Sequence, residues 1–197
     1  MKRIVFLFFI LSFFLNLTGQ EKDFYERLSD AALSLTKDRV RYDPSYYKIE
    51  YPNGDVPSDR GVCTDVVIRA YRKLGVDLQK EIHLDMKANF SKYPNEKRWG
   101  LKTTDRNIDH RRVPNQQVFF TRKGNPLPVT DKPEDYKTGD LVTWDLGGGI
   151  LHIGIVVNRK SRDGKRPLIV HNVGVGQVLQ DCLFTWKITG HYRYDGK

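Results

Sequence analysis

The sequence predicts an α+β fold in which helices near the N-terminus pack against an antiparallel sheet formed by the last third of the chain. Helical patterns occur before residue 76, and short apolar runs separated by glycine, aspartate and lysine turns follow residue 139. Helices first and strands afterwards are typical of α+β domains rather than of alternating parallel folds. A chain of 197 residues is long enough for one domain with a hydrophobic core.

The helices are predicted from apolar spacing and from helix-end signals. The spacing over 23–37 predicts an amphipathic helix. The segment 42–51 is aromatic and extended. A second helix is expected to start near 57–59 and to end at Gly75, which places Cys63 in its first turns.

Strand-like patterns dominate the last third of the chain. The predicted strands cover residues 140–144, 150–157, 168–172 and 188–194. Before them, residues 84–137 are polar, rich in Lys, Asn and Pro, and weakly periodic. Long structureless segments inside one domain are usually functional. We therefore expect 84–137 to be an insert that lines a substrate groove.

The N-terminus has the pattern of an export signal. Lys2 and Arg3 precede an apolar run from Ile4 to Leu15, and small residues follow it. We expect residues 1–20 to be a signal peptide and 21–197 to be an exported domain, periplasmic or secreted, without stable membrane insertion. An uncleaved anchor is the alternative, but a membrane span needs about 20 apolar residues.

The net charge indicates which polymers the protein would attract. The formal charge is +9, and loss of Lys2 and Arg3 with the signal leaves +7. A basic exported protein is drawn to anionic envelope polymers such as peptidoglycan or teichoic acids. Over 159–166 the basic residues are interrupted by Asp163 and are not interleaved with aromatics, which argues against nucleic acid as a partner. A solvated surface of mixed charge is the alternative explanation.

The two cysteines, Cys63 and Cys182, have different contexts. In an oxidising compartment a disulfide between them is the ordinary expectation. Cys63, however, stands at a helix start, where free N–H groups and the helix dipole lower the pKa of a thiol. Gly61 permits close backbone approach there. Cys182 precedes Phe184 and Trp186 and is interpreted as a structural thiol.

Histidines on the predicted strands could provide a base for the thiol. A core histidine bonded to a carbonyl is the ordinary explanation of a lone His152 on an apolar strand. His171 ends the neighbouring strand, where it could accept the Nδ1 proton of His152 and fix its tautomer. Asn172 is the alternative orienting residue. Cys63, His152 and His171 therefore form the candidate catalytic set.

Several motifs carry a family resemblance. They are Tyr51-Pro-Asn-Gly54 with Gly61-Val-Cys63-Thr-Asp65, Thr138-Gly-Asp-Leu-Val-Thr-Trp144 with His152-Ile-Gly-Ile-Val156, and Leu168-Ile-Val-His171. In order and type they resemble the NlpC-type papain-like cell-wall cysteine peptidases. That family commonly has Asp-Cys-Ser-Gly where this chain has Val62-Cys63-Thr64-Asp65. A closer resemblance is to exported bacterial domains of unknown function that share the Gly-Val-Cys-Thr-Asp block, Asn107–Arg112 and Gly190–Arg193.

The resemblance implies a papain-like fold and residue roles. Cys63 would be the nucleophile, His152 the general base and His171 the orienting residue, with Tyr51 as a pocket wall. Adjacent arginines also suit carboxylates, because a guanidinium binds them through two parallel hydrogen bonds. The candidate substrate-binding residues are Tyr51, Asp65, His110, Arg111, Arg112 and Asn172. A solvated loop with an Asp109 salt bridge is the alternative for 109–112.

Together these patterns predict a monomeric, cofactor-free hydrolase that cleaves an amide of peptidoglycan peptides through an acyl-thioester on Cys63. An acyltransferase, deamidase or antibacterial toxin with the same thiol is one alternative. A non-catalytic wall-binding module with a Cys63–Cys182 disulfide is another. Zinc binding by Cys63, His152 and His171 is a third, against which the lack of a closely spaced ligand pair argues.

Overall fold

The computed structural model describes residues 21–197, so the predicted signal peptide over 1–20 lies outside the described residues. The helices are α1 (Phe24–Leu35), α2 (Cys63–Arg72), α3 (Leu78–Ala88), α4 (Asn95–Trp99) and α5 (Val113–Lys123). The strands are β1 (Arg41–Tyr42), β2 (Arg60–Gly61), β3 (Asn125–Pro126), β4 (Leu141–Asp145), β5 (Leu151–Lys160), β6 (Pro167–Asn172), β7 (Gln177–Gln180) and β8 (Lys187–Arg193). Within this range, no helix has the length and apolar character that crossing a membrane requires.

A six-stranded antiparallel sheet organises the domain. Its strand order is β3-β8-β4-β5-β6-β7, and every neighbouring pair is antiparallel. Helices α1 and α2 pack against β5 at the centre of this sheet. The predicted α+β class is therefore confirmed. The short strands β1 and β2 form a separate parallel pair next to the start of α2.

The two faces of the sheet support two separate hydrophobic clusters, which we call the helix-side and the far-side clusters. The helix-side cluster joins the buried faces of α1, α2, α3 and α5 to Leu141, Ile153, Ile155, Val157 and Val170. The far-side cluster consists of Tyr136, Val142, Trp144, Val156, Ile169, Cys182 and Leu183. Successive strand residues point to opposite faces, so the alternation along β4, β5 and β6 assigns each residue to one cluster.

The segment 84–137 is more ordered than its weak periodicity predicts. It contains the end of α3, all of α4 and α5, and short 3-10 turns at Phe90–Lys92, Asp109–Arg111 and Pro133–Asp135. Phe119 and Phe120 of α5 are buried against Tyr71 and Tyr194. The weak periodicity therefore does not indicate a lack of structure, because the aromatic partners of α5 lie far away in sequence and no local pattern encodes this packing.

Helix α2 starts later than its sequence signals indicate. The residues at 57–59 form a turn, and the first helical residue is Cys63. Asp65, in the third helical position, accepts a hydrogen bond from the backbone N–H of Val62 at 2.7 Å. A carboxylate in the first turn satisfies one of the unpaired donors at a helix start and interacts favourably with the helix dipole. The thiol is thereby placed on the first residue of the helix.

Candidate functional site

The first turn of α2 is fixed by a buried ion pair between Asp65 and Arg111. Arg111 donates from Nε to Asp65 Oδ1 at 2.9 Å and from Nη2 to Asp65 Oδ2 at 3.0 Å. The two side chains are 1% and 3% exposed. Arg111 also donates to the carbonyl of Ser45 at 3.0 Å, and Thr64 Oγ1 donates to the carbonyl of Arg111 at 3.0 Å. These contacts hold the start of α2 against the chain at residue 111.

The Cys63 thiol lies where β5 and β6 separate, a region that we call the β5–β6 fork. The ladder between these strands ends at the pair Ile155–Val170. Beyond it, residues 151–153 pair with β4 and residues 171–172 pair with β7. The backbone N–H of Ile153, the residue after His152, lies near the sulfur of Cys63 and lowers the pKa of its thiol. The thiol therefore lies beside the strand that carries His152.

Burial dominates the ionisation of the Cys63 thiol. The residue is 5% exposed, and this burial raises the pKa of Cys63 to about 12. The nearby Asp65 carboxylate also raises this pKa, whereas the backbone N–H groups of Ile153, Thr64 and Cys63 itself lower it. The expected lowering by the helix start is present, but removal of the thiolate from water outweighs it. The thiol is protonated at neutral pH.

This environment predicts the pH dependence of thiol alkylation. Because only the thiolate reacts, a pKa of about 12 means that the rate constant for Cys63 with iodoacetamide should rise about tenfold per pH unit from pH 8 to pH 11. At pH 8 the native chain should react at less than about one-tenth of the rate of the chain in guanidinium chloride, whose thiol has an ordinary pKa near 8.5. Peptide mapping after timed quenching measures both rates. A plateau reached below pH 8 would contradict this expectation.

The two histidines pair with each other across the fork. His152 Nε2 lies 2.8 Å from His171 Nδ1, and His171 Nε2 lies 2.9 Å from Gln180 Oε1. Since the amide oxygen of Gln180 can only accept, His171 carries its proton on Nε2, and its Nδ1 accepts the Nε2 proton of His152. The contact between the histidines was predicted, but through Nδ1 of His152. This assignment leaves that Nδ1 unprotonated and available as a base.

The imidazole of His152 is neutral and does not hydrogen-bond to the thiol. Burial, together with the neighbouring His171, lowers the pKa of His152 to about 3. Its ring packs near Trp144 and Trp186 in the far-side cluster, with ring centroids 5.9 and 6.0 Å away. Cys63 belongs to the helix-side cluster. The two side chains therefore start from opposite faces of the sheet. They can approach each other only at the fork, where the β5–β6 ladder has ended and no longer separates the two faces.

The second cysteine lies on the other side of the sheet. Cys182 belongs to the far-side cluster, and its sulfur is 3.7 Å from His171 Nε2. Burial raises the pKa of Cys182 to about 12, and it is 1% exposed. Both cysteines are free thiols in this structure. The disulfide on which the non-catalytic alternative depends is not formed, and within residues 21–197 there is no cluster of three or more His, Cys, Asp or Glu that could hold a metal ion.

A surface pocket opens over Cys63. This cavity of about 310 Å³ is bounded by the first turn of α2, by α4, by residues 112–114 and by the loop between β4 and β5. Tyr42 lies close to the thiol: burial raises the pKa of this phenol, and the charges of Cys63 and Asp65 raise it further. The positive residues of the wall are Arg98, Arg111 and Arg112, and no Asp or Glu lines the pocket.

Arg111 and Arg112 are the predicted substrate-binding residues that line this pocket, and they differ in availability. The guanidinium of Arg111 is already occupied by Asp65 and backbone carbonyls. Arg112 donates from Nη1 to Asp109 at 3.0 Å and stacks over Trp99, with its Cζ 4.3 Å from the ring centroid. Arg112 therefore keeps further donors for a ligand.

The other predicted substrate-binding residues lie outside the pocket. Tyr51 packs against His83 and Arg106, because the chain at 50–54 is held to Gln79 on α3 by hydrogen bonds to Glu50 and Gly54. His110 is buried, which lowers its pKa to about 3. Asn172 donates to the carbonyl of Gly61 at 3.1 Å, and Asp65 is paired with Arg111. None of these four side chains lines the pocket over Cys63, and their contact with substrate stays a prediction.

Sequence reasoning missed Tyr42, Arg98, Trp99, Ile150 and Gln180. The first four surround the pocket, and Ile150 is 64% exposed. They come from three separate segments that only the folded chain brings together. The three consecutive glycines at 147–149, which indicate a turn just before Ile150, were the available local signal.

Comparisons with known proteins place most of the chain in a family. The family model described as "Domain of unknown function (DUF1287)" matches residues 29–194. The "Uncharacterized protein YijF" of Escherichia coli (strain K12) is 49% identical over 167 residues, which cover 85% of this chain and 80% of that protein. The matched range includes the thiol, both histidines of the fork and all the pocket residues. The chain therefore belongs to the DUF1287 family.

Proposed function

We propose that this protein is an exported thiol hydrolase that cleaves an amide bond of peptidoglycan peptides, with Cys63 as nucleophile, His152 as general base and His171 as orienting residue. The observation that carries the proposal is the β5–β6 fork. It holds a free thiol at the first residue of a helix, beside the strand that carries His152, and a second histidine fixes Nε2 of His152. Such a nucleophile, base and orienting group is the arrangement that acyl transfer requires.

The chemistry follows from the protonation states. Both the thiol and the His152 imidazole are neutral at pH 7, so the thiol proton must move to Nδ1 of His152 as the sulfur attacks the carbonyl carbon. The backbone N–H of Cys63 can donate to the oxyanion that forms. His152 then gives the proton to the departing amine, which leaves an acyl-thioester. A water molecule, deprotonated by His152, releases the carboxylic acid and restores the thiol.

The choice of substrate rests on charge and on sequence motifs. The mature chain is basic, with a formal charge of +7 after loss of the predicted signal, which favours an anionic envelope polymer. The pocket wall contains arginines and no acidic residue, which suits the carboxylates of peptidoglycan peptides. The motifs that resemble NlpC-type papain-like peptidases support the same substrate and a monomeric enzyme without cofactor.

Digestion of purified muropeptides tests the proposal. The wild-type chain from residue 21 should release amide-cleavage products that mass spectrometry identifies, and Cys63→Ala should release none. Cys182→Ala is the matched control, because it removes the other buried thiol from the opposite face of the sheet and should retain activity. Products in Cys63→Ala at the wild-type rate would overturn the mechanism. Transfer of the acyl group to an added amine, without hydrolysis, would indicate an acyltransferase instead.

A further inference from the structure

The pocket over Cys63 carries an uncompensated positive charge. Arg111 is paired with Asp65, and Arg112 is paired with Asp109. Arg98 has no carboxylate partner among the described residues, and its polar contact is a 3.4 Å hydrogen bond from Nη2 to the carbonyl of Gly149. Three guanidiniums thus face two carboxylates, which leaves one positive charge at a pocket whose wall has no acidic side chain.

The shape of the wall shows how an anion would be held. Trp99 is exposed at the pocket, and both neighbouring guanidiniums lie by its ring, with Cζ of Arg112 at 4.3 Å and Cζ of Arg98 at 5.7 Å from the centroid. An aromatic face restrains a guanidinium while leaving its N–H edge free. The bond from Arg98 to Gly149 is long and exposed, so a carboxylate can replace that weak partner.

We infer that Arg98 and Arg112 form a subsite for a single carboxylate on the ligand that occupies the Cys63 pocket, with Trp99 as the platform that positions both guanidiniums. The inference rests on the proposed function in treating Cys63 as the reacting group of this pocket. From the sequence alone, the adjacent Arg111 and Arg112 are expected to bind the carboxylate. In the structure Arg111 is paired with Asp65 and holds α2 in place, so Arg98 supplies the uncompensated positive charge. A monocarboxylate matches the single uncompensated charge better than a dianionic phosphate does.

Competing alkylation of Cys63 by iodoacetate and iodoacetamide tests this subsite without any substrate. The two reagents share a leaving group and attack the same thiolate, so the ratio of their rate constants is independent of the thiolate fraction. At pH 9 and low salt, we expect this ratio in the native chain to exceed that of the guanidinium-unfolded chain about tenfold, which corresponds to about 1.4 kcal/mol, because the uncompensated positive charge of the pocket attracts the carboxylate of iodoacetate. Peptide mapping confines the measurement to Cys63.

Substitutions identify which arginines cause the preference of Cys63 for iodoacetate over iodoacetamide. Arg98→Gln and Arg112→Gln should each lower the native ratio at least threefold, whereas Arg106→Gln should leave it unchanged, because that arginine lies over Tyr51 outside the pocket. Acetate should slow the iodoacetate reaction more than inorganic phosphate does at equal ionic strength. An unchanged ratio in Arg98→Gln, stronger competition by phosphate, or a Cys63 that neither reagent modifies would overturn the inference. Loss of amide cleavage alone would leave it standing, because no turnover is measured.

Discussion

Replacement of Arg111 by methionine is expected to lower the free energy of unfolding by about 3–5 kcal/mol, the usual effect of removing one partner of a buried ion pair. The substitution leaves the Asp65 carboxylate, 3% exposed, without its guanidinium. Methionine fills part of the volume of arginine but cannot donate to Asp65 or to the carbonyl of Ser45. Urea denaturation followed by circular dichroism measures the loss.

Two further variants show whether the loss of stability comes from the unpaired buried carboxylate of Asp65 or simply from the loss of an arginine side chain. Arg98→Met removes an exposed arginine without a carboxylate partner and should change stability by about 0.5 kcal/mol or less. Adding Asp65→Asn to Arg111→Met should recover part of the loss. The amide is neutral, and its oxygen can still accept the N–H of Val62. Equal losses in Arg98→Met and Arg111→Met would contradict the structural role of the Asp65–Arg111 pair.

Substitution of His152 by alanine is expected to reduce kcat for amide cleavage about 10²–10⁴-fold, the usual contribution of a general base. His171→Ala should act in the same direction, because the Nε2–H of His152 then loses its acceptor and the tautomer is no longer fixed. His171→Gln offers an amide oxygen at the same position and should restore part of the activity. This rescue is the result that a purely structural role of His171 would not produce.

The control for both histidines is His83→Gln. His83 is half-buried and packs against Tyr51, away from the fork, so kcat should stay within about twofold of wild type. Thermal unfolding of all variants checks that each remains folded. Full activity in His152→Ala with intact folding would refute the assignment of the base and would direct attention to Tyr42, which also lies near the thiol.

The strands of the sheet were predictable because they are coded locally. Alternation and turn residues predicted strands over 140–144, 150–157, 168–172 and 188–194, and the structure has β4, β5, β6 and β8 at those places within a few residues. The strand β7 was missed: it is four residues long and half exposed, so it has no apolar alternation. Yet it supplies Gln180, which fixes the tautomers of both fork histidines.

The sequence by itself determined the α+β class, the position of Cys63 at a helix start and the pairing of His152 with His171. These features follow from helix-end signals and strand alternation, which are properties of neighbouring residues. Only the tertiary structure decided the ionisation of the thiol, since its pKa depends on burial by distant segments. It also decided which arginine is free. Asp65 and Arg111 lie 46 residues apart, and nothing local in the sequence distinguishes Arg111, paired inside the fold, from Arg98 at the mouth of the pocket.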